Sequence, residues 1–290
     1  MNASPQNAAE LRAGAEAVSS GLPALLARAE HLAATLALGA HGRKRAGQGE
    51  DFWQYRMAEY GDDLRRIDWR RSAKSDKLFI RQKEWQAAQS VYFWVDPGAS
   101  MAFGDVPKSD RAQLLALAIA ILLSKSGERF GLLDLPEPPK TGETQLGKMA
   151  RAMMGRSAVQ DYAKLVPVAL PKGSRAVFLS DFLGDWDGLR DALSRVADQG
   201  VRGVLMQVLD PAEVAFPFKG RTIFESMQKS LSFEARRADA LRQAYLDKLA
   251  QRSEALQALA RKTGWRFTQH VTDKPAQSAV LWLYNALELG

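Results

Sequence analysis

The chain has 290 residues, of which 46% are hydrophobic, enough to fill the core of one large domain or two small ones. It contains no cysteine and only three histidines, which excludes disulfides, thiolate catalysis and cysteine-ligated metals and leaves little for a histidine-based site. Forty basic residues against 33 acidic ones give a net charge of +7, a modest excess that does not by itself indicate nucleic acid.

The first twenty residues lack the basic and then apolar order of a secretory signal. The longest apolar run, residues 114–123, has about half the length that a membrane crossing requires. We therefore expect a cytoplasmic protein with no transmembrane segment.

Hydrophobic periodicity divides the chain into three regions: an N-terminal helical segment at 1–40, a charged segment at 41–88, and an α/β domain at 89–290. The predicted helices are 22–38, 109–126, 144–154, 160–169, 186–198, 236–262 and 277–288. The predicted strands are 90–95, 128–135, 175–180, 202–209 and 265–269, with a hairpin at 221–225 and 230–233. Continuous apolar strands separated by amphipathic helices are typical of a doubly wound, mainly parallel sheet.

Three of the predicted strands are followed directly by an aspartate: Asp96, Asp181 and Asp210. Ligands bind at the carboxyl ends of parallel strands where the strand order reverses, so we expect these acids on one edge of the sheet. Their mutual repulsion requires a cation, a basic side chain or backbone N–H groups nearby. A divalent metal ion is one solution and capping of the following helices is the other, and the pattern leaves both open.

The turn Asp-Pro-Gly-Ala-Ser at residues 96–100 resembles the metal-ion-dependent adhesion site of von Willebrand factor type A domains. The magnesium ligands that this resemblance implies are Asp96, Ser100, Asp181 and Ser157. Gly98 stands where that family has its first serine, so one ligand oxygen is missing and the adhesion site is degenerate. Because Mg²⁺ accepts water in place of protein ligands, the resemblance implies weak or absent metal binding.

A narrower resemblance lies upstream, in Gly-Gln-Gly-Glu-Asp-Phe at 47–52 and Gly-Asp-Asp-Leu-Arg-Arg-Ile-Asp-Trp at 61–69. This signature resembles the bacterial domain of unknown function 58 family, whose members couple it to a von Willebrand A-like domain. The resemblance implies that residues 89–290 are that domain. It also implies a non-catalytic adaptor that acts with a MoxR-type AAA+ ATPase in the assembly or activation of a client protein.

Acidic and basic residues alternate along the signature, which favours an ion-paired clasp with Trp69 as its hydrophobic anchor. A partner-docking surface is the alternative. Trp53, Tyr55 and Tyr60, at near-alternating positions, favour a strand packed against the clasp over stacking platforms for bases. The residues of this clasp or docking surface are Asp62, Asp63, Arg65, Arg66, Asp68, Trp69 and Arg70.

Two other functions stay open. One is a Mg²⁺-dependent phosphatase or nuclease that uses Asp96, Asp181 and Asp210, and the other is nucleic-acid binding through the basic segment 43–83. The chain has no Gly-x-x-x-x-Gly-Lys-Ser/Thr loop, so ATP hydrolysis would belong to a partner. Our expectation is therefore a binding protein and not an enzyme.

Overall fold

The structure is a computed structural model that describes residues 22–36, 52–58, 67–73, 77–83, 89–156, 158 and 160–288. The chain divides into two compact units, one made of residues 41–88 and one made of residues 1–40 and 89–290. In chain order the helices and strands are α1 (22–36), β1 (Phe52–Met57), α2 (Trp69–Ser72), β2 (Phe79–Lys83), β3 (Ser90–Val95), α3 (Lys108–Lys125), β4 (Arg129–Leu132), α4 (Glu143–Met154), β5 (Arg175–Ser180), α5 (Trp186–Asp198), β6 (Arg202–Leu209), α6 (Pro211–Ala215), β7 (Thr222–Glu225), β8 (Ser232–Ala235), α7 (Arg242–Thr263), β9 (Arg266–Val271) and α8 (Ala276–Glu288).

The larger unit is built on a five-stranded sheet with the order β4-β3-β5-β6-β9, in which all neighbouring strands are parallel. The chain adds β4 on one side of β3 and the later strands on the other side. The strand order therefore reverses between β3 and β5. This arrangement confirms the predicted doubly wound α/β fold.

Helices cover both faces of the sheet, and this explains the continuous apolar strands. Phe93 and Leu179 face a core shared with α1, α3, α4 and α8. Phe178 and Leu205 face a second core with α5, α7 and Trp265. The Phe178 and Trp265 rings stack with their centroids 5.5 Å apart, so the second core is anchored by aromatic packing.

In the smaller unit, β1 and β2 form an antiparallel pair in which Met57 lies opposite Phe79. The expected strand at Trp53 and Tyr55 is confirmed as part of β1, whereas β2 was not predicted. Trp69 was expected to anchor this region, but its side chain is 60% exposed at the start of the four-residue helix α2.

Of the other residues expected in the clasp, the structure describes Asp68 and Arg70, and Tyr60 of the expected strand lies outside the described residues. Ile67 is buried, and the backbone N–H of Asp68 donates to the Phe79 carbonyl at 2.8 Å. Arg70 is exposed on α2. The remaining members, Asp62, Asp63, Arg65 and Arg66, lie outside the described residues.

The helix predicted at 160–169 is wrong. Residues 160–162 form bends and residues 163–170 run without helix, because Pro167 disfavours helical geometry at the residue before it. The carbonyls of Gln160 and Asp161 accept hydrogen bonds from the N–H groups of Ala99 at 3.0 Å and Ser100 at 2.8 Å. This segment therefore supports the turn that follows β3.

Two further helices differ from the prediction. The long helix α7 begins at Arg242, since Ala238–Leu241 forms a 3₁₀ turn before it. The short helix α6, which follows Asp210 directly, was not among the predicted helices. The predicted hairpin is confirmed as β7 paired antiparallel with β8.

Candidate functional site

Asp96 and Asp181 lie at the carboxyl edge of the sheet, directly after the neighbouring strands β3 and β5. We call this edge, with Asp96, Asp181 and Asp210, the rim. The carboxyl groups of Asp96 and Asp181 are both buried. Asp96 Oδ1 accepts from the Gly98 N–H at 2.7 Å, and Oδ2 accepts from Ser180 Oγ at 2.5 Å. Burial, and then the charge of Asp181, raise the pKa of Asp96 to about 6.

Lys108, at the start of α3, supplies the positive charge at the rim. Its side chain is 0% exposed, and Nζ lies 2.9 Å from Asp181 Oδ2 and 2.5 Å from Glu213 Oε1. Burial works to lower the pKa of Lys108, but the two carboxylates more than offset it, and the net pKa is raised.

Sequence reasoning missed Lys108. The available signal was a lysine in the first turn of a helix, directly after Pro107, where the helix dipole disfavours a cation. A cation at such a position requires carboxylates nearby.

Asp210 and Glu213 form a capping box at the start of α6. Asp210 Oδ1 accepts from the Ala212 N–H at 2.8 Å, and Glu213 Oε2 accepts from the Asp210 N–H at 2.8 Å. The other oxygen of Glu213 accepts from Lys108. Helix capping, one of the two solutions that the sequence left open, therefore operates at Asp210, whereas the basic side chain of Lys108 compensates Asp181.

Helix capping also explains Asp185. Its Oδ2 accepts from the Gly188 N–H at 3.1 Å at the start of α5. Aspartate is preferred at this position because its side chain accepts from a backbone N–H that has no partner within the helix.

The oxygens around the rim fit a divalent ion poorly. Asp181 Oδ1 accepts from the Leu183 N–H at 3.0 Å, and its Oδ2 is held by Lys108. A Cβ atom on Gly98 would lie 2.8 Å from the Ala163 nitrogen and 2.9 Å from Asp96 Oδ1, so the missing serine has no room.

Ser100 is the residue that best matches the resemblance. Its Oγ is buried and has no hydrogen-bond partner among the described residues. Ser157 lies outside the described residues. Within the part of the chain that the structure describes, no cluster of three histidine, aspartate or glutamate side chains is arranged to hold a metal. One free hydroxyl beside paired carboxylates does not make a magnesium site.

A cavity of about 500 Å³ opens beside the rim, with Ser100 and Glu213 in its wall. We call it the aromatic cavity after the rings that line it: Phe103, Tyr162, Phe216, Phe218, Phe224 and Tyr245. Phe216 is central, since its ring lies 4.9 Å from Tyr245 and 5.8 Å from Phe224. Its backbone has a positive φ of 45°, an uncommon conformation for a bulky residue, and ends α6.

The hairpin β7–β8 borders the aromatic cavity and exposes apolar side chains. The exposed fractions are 57% for Ile223, 45% for Met227, 69% for Leu231 and 58% for Phe233. Phe233 pairs with Phe224, which lines the cavity, whereas Ile223 pairs with Glu234 on the other face of the hairpin. The exposed apolar side chains are therefore distributed over both faces of the hairpin. The sequence predicted the hairpin but not the exposure of its apolar residues.

Comparison with known families decides the classification. The family model described as Protein of unknown function DUF58 matches residues 54–255. The chain belongs to this family. The match includes the signature residues 61–69 and the strands β3 to β6 and ends within α7, so it includes Lys108 and the rim.

Curated relatives of this DUF58 protein include an uncharacterized protein of Mycobacterium bovis and uncharacterized proteins of two Mycobacterium tuberculosis strains. Each is 29% identical over 201 residues, which cover 64% of this chain and 63% of the relative. The DUF58 chain thus spans less than two thirds of the length of these relatives.

A solved structure similar to this DUF58 protein is an aerotolerance-related membrane protein from Bacteroides fragilis NCTC 9343 carrying multiple mutations to serine. The TM-score is 0.45 with 14% sequence identity, and the match covers 70% of this chain and all of that one. Among the helices that the structure describes here, none combines the length and hydrophobicity needed to cross a bilayer.

Proposed function

We propose that the protein is a non-catalytic interaction module of von Willebrand A-like type, with a degenerate adhesion site, that docks a protein partner at the hairpin and aromatic cavity beside the rim. The proposed partner is a MoxR-type AAA+ ATPase, and the pair acts in the assembly or activation of a client protein. The bacterial cytoplasm is the proposed location. The sequence resemblance supplies the class of partner, and the absence of a nucleotide-binding loop in the sequence is compatible with it.

The observation that carries the proposal is the apolar hairpin beside the aromatic cavity. Leu231 and Phe233 expose more than half of their side-chain surface next to a cavity lined by six aromatic rings. Exposed apolar side chains next to a concave aromatic site are typical of protein interfaces, in which aromatic residues are enriched.

The carboxylates of the rim support binding over catalysis. Asp96 and Asp181 each accept two hydrogen bonds, and Asp210 caps α6. A phosphatase or nuclease would need carboxylate oxygens free to hold a metal or move a proton. The same acids here stabilise the loops that border the cavity.

The test is copurification of the protein with a MoxR-type ATPase of the same organism, in wild type and in the double variant Leu231→Ser/Phe233→Ser. We expect wild type to retain the ATPase and the double variant to lose at least tenfold in affinity, because both apolar contacts are removed from the centre of the interface. Leu281→Ser is the matched control, since Leu281 is 49% exposed on α8, on another element.

The three proteins should have the same thermal stability, because the replaced side chains are largely exposed. Equal retention of the ATPase by all three would contradict the docking surface. Failure of the wild type to bind the ATPase would contradict the proposed partner. Phosphatase or nuclease turnover that depends on Mg²⁺ and disappears in Asp96→Ala would replace the proposal with the enzyme.

A further inference from the structure

Lys108 is a fully buried lysine that joins three elements of the fold. It starts α3, and its ammonium group contacts Asp181, after β5, and Glu213, in α6. The Phe103 ring lies on a third side, with its centroid 5.9 Å from Nζ. A buried ammonium without such partners would cost several kcal/mol in lost hydration, so the two carboxylates are required where they stand.

The ammonium group of Lys108 offsets the negative charges of the carboxylates around it. Glu213 shares its two oxygens between Lys108 and the Asp210 N–H, so it connects the cation to the cap of α6. Asp96 is also close enough for Lys108 to lower its pKa, although burial and Asp181 outweigh this effect. One lysine therefore compensates a cluster of carboxyl groups that would otherwise repel one another.

A divalent ion at the same place would compete directly with Lys108. Mg²⁺ needs carboxylate oxygens at about 2 Å, and the Asp181 oxygen that it would take already lies 2.9 Å from Nζ. The ion would then stand against an ammonium group in a region from which water is excluded, and the repulsion there is weakly screened.

We infer that Lys108 is the resident cation of the rim, in the role that the adhesion-site resemblance assigns to Mg²⁺. The ammonium group holds β5, α3 and α6 together, and the geometry of the rim is independent of divalent metal. This inference does not depend on the proposed partner, since it concerns how the rim itself is held.

The first test is titration of the wild-type protein with Mg²⁺ and with Mn²⁺, measured by calorimetry and by the melting temperature in thermal unfolding. We expect no saturable heat and a change in melting temperature of less than about 1 °C, because a ligand stabilises only the state that it binds. Saturable binding by the wild type that disappears in Asp181→Asn would overturn the inference.

The second test replaces Lys108 with methionine, which keeps the length of the side chain and removes the charge. Breaking a buried pair on one side should lower the melting temperature by about 10 °C or prevent folding. Adding Glu213→Gln to Lys108→Met should restore part of the loss, because one uncompensated carboxylate is removed. Lys125→Met, at the exposed end of the same helix, is the control, with an expected change of less than about 2 °C.

A Lys108→Met protein with the melting temperature of the wild type would also overturn the inference. If that variant does not fold, the wild-type titration still decides the question, since it needs no substitution of the lysine.

Discussion

Replacement of His270 by glutamine should remove a loss of stability that the wild-type protein suffers in mild acid. His270 lies in β9 with only 5% of its surface exposed, and its Nε2 is 3.1 Å from Nη1 of Arg111. A guanidinium can only donate, so Nε2 must accept and the folded imidazole is neutral. Burial, and then the charge of Arg111, lower the pKa of His270 to about 4, while Asp273 acts weakly in the opposite direction.

The sign of the effect follows from proton uptake. His270 becomes protonated below a pH of about 6.5 in the unfolded chain, but only below about pH 4 in the folded protein. Between these pH values the unfolded chain binds more protons, so acid favours unfolding. The stability from neutral His270 is thus present above pH 6.5 and is lost as the pH falls toward 4. The full loss is about 3 kcal/mol, and about 2 kcal/mol of it is reached near pH 5.

The measurement is urea unfolding near pH 8 and near pH 5 for wild type and His270→Gln. Glutamine offers an oxygen to Arg111 and does not titrate, so the difference in unfolding free energy between the two proteins should move by about 2 kcal/mol in favour of the variant at the lower pH. Titration of Asp96 occurs in both proteins and cancels. His31→Gln, exposed on α1, is the control. A difference between wild type and variant that is the same at both pH values would refute the reasoning.

Three further substitutions test the packing around the rim and the sheet. The pKa of Asp96 is raised to about 6, so the folded protein keeps a proton that the unfolded chain releases, and the contribution of Asp96 to stability falls by up to about 3 kcal/mol as the pH rises from about 4 to 6. Asp96→Asn should abolish this contribution, so the difference in unfolding free energy between wild type and variant, measured with urea, should change by that amount across the window. Gly98→Ser should lower the unfolding free energy by about 1–3 kcal/mol, because the serine Cβ would lie 2.8 Å from the Ala163 nitrogen. We expect no Mg²⁺ site in this variant, and a stability that increases with Mg²⁺ would count against our description of the turn. Gly203→Ala should cost about 3 kcal/mol or more by thermal unfolding, since its Cβ would lie 2.0 Å from the indole of Trp265, and a neutral result would mean that the ring moves freely.

The sequence predicted the sheet because each strand carries its own signal. In β3, β5 and β6 the side chains are buried on both faces, so the strands read as continuous apolar runs, and the acids that follow them mark the carboxyl edge. Residues 160–169 were less predictable. Their apolar spacing resembles a helix, but their carbonyls bond to the turn after β3, a contact between distant parts of the chain that no local pattern contains.

The chemistry of the rim was predictable only in part. The strand-end acids were identified from their positions, and the need for a compensating charge followed from their repulsion. The sequence did not identify Lys108 as the compensating cation, because Lys108 and Asp181 are 73 residues apart along the chain and meet only in the folded structure. The hairpin was likewise predicted as two strands, while the exposure of Leu231 and Phe233 depends on the tertiary fold and is not encoded in the local pattern.

The position of β9 at the edge of the sheet has a consequence for how the protein is made. Seven of the eight residues of β6 are buried, and β9 covers one side of this strand only after residues 266–271 have been synthesised. Until these residues have been synthesised, the side of β6 that pairs with β9 exposes unpaired backbone N–H and C=O groups. Such an edge pairs readily with other chains, so a nascent or shortened protein that stops after α7 should be prone to aggregation.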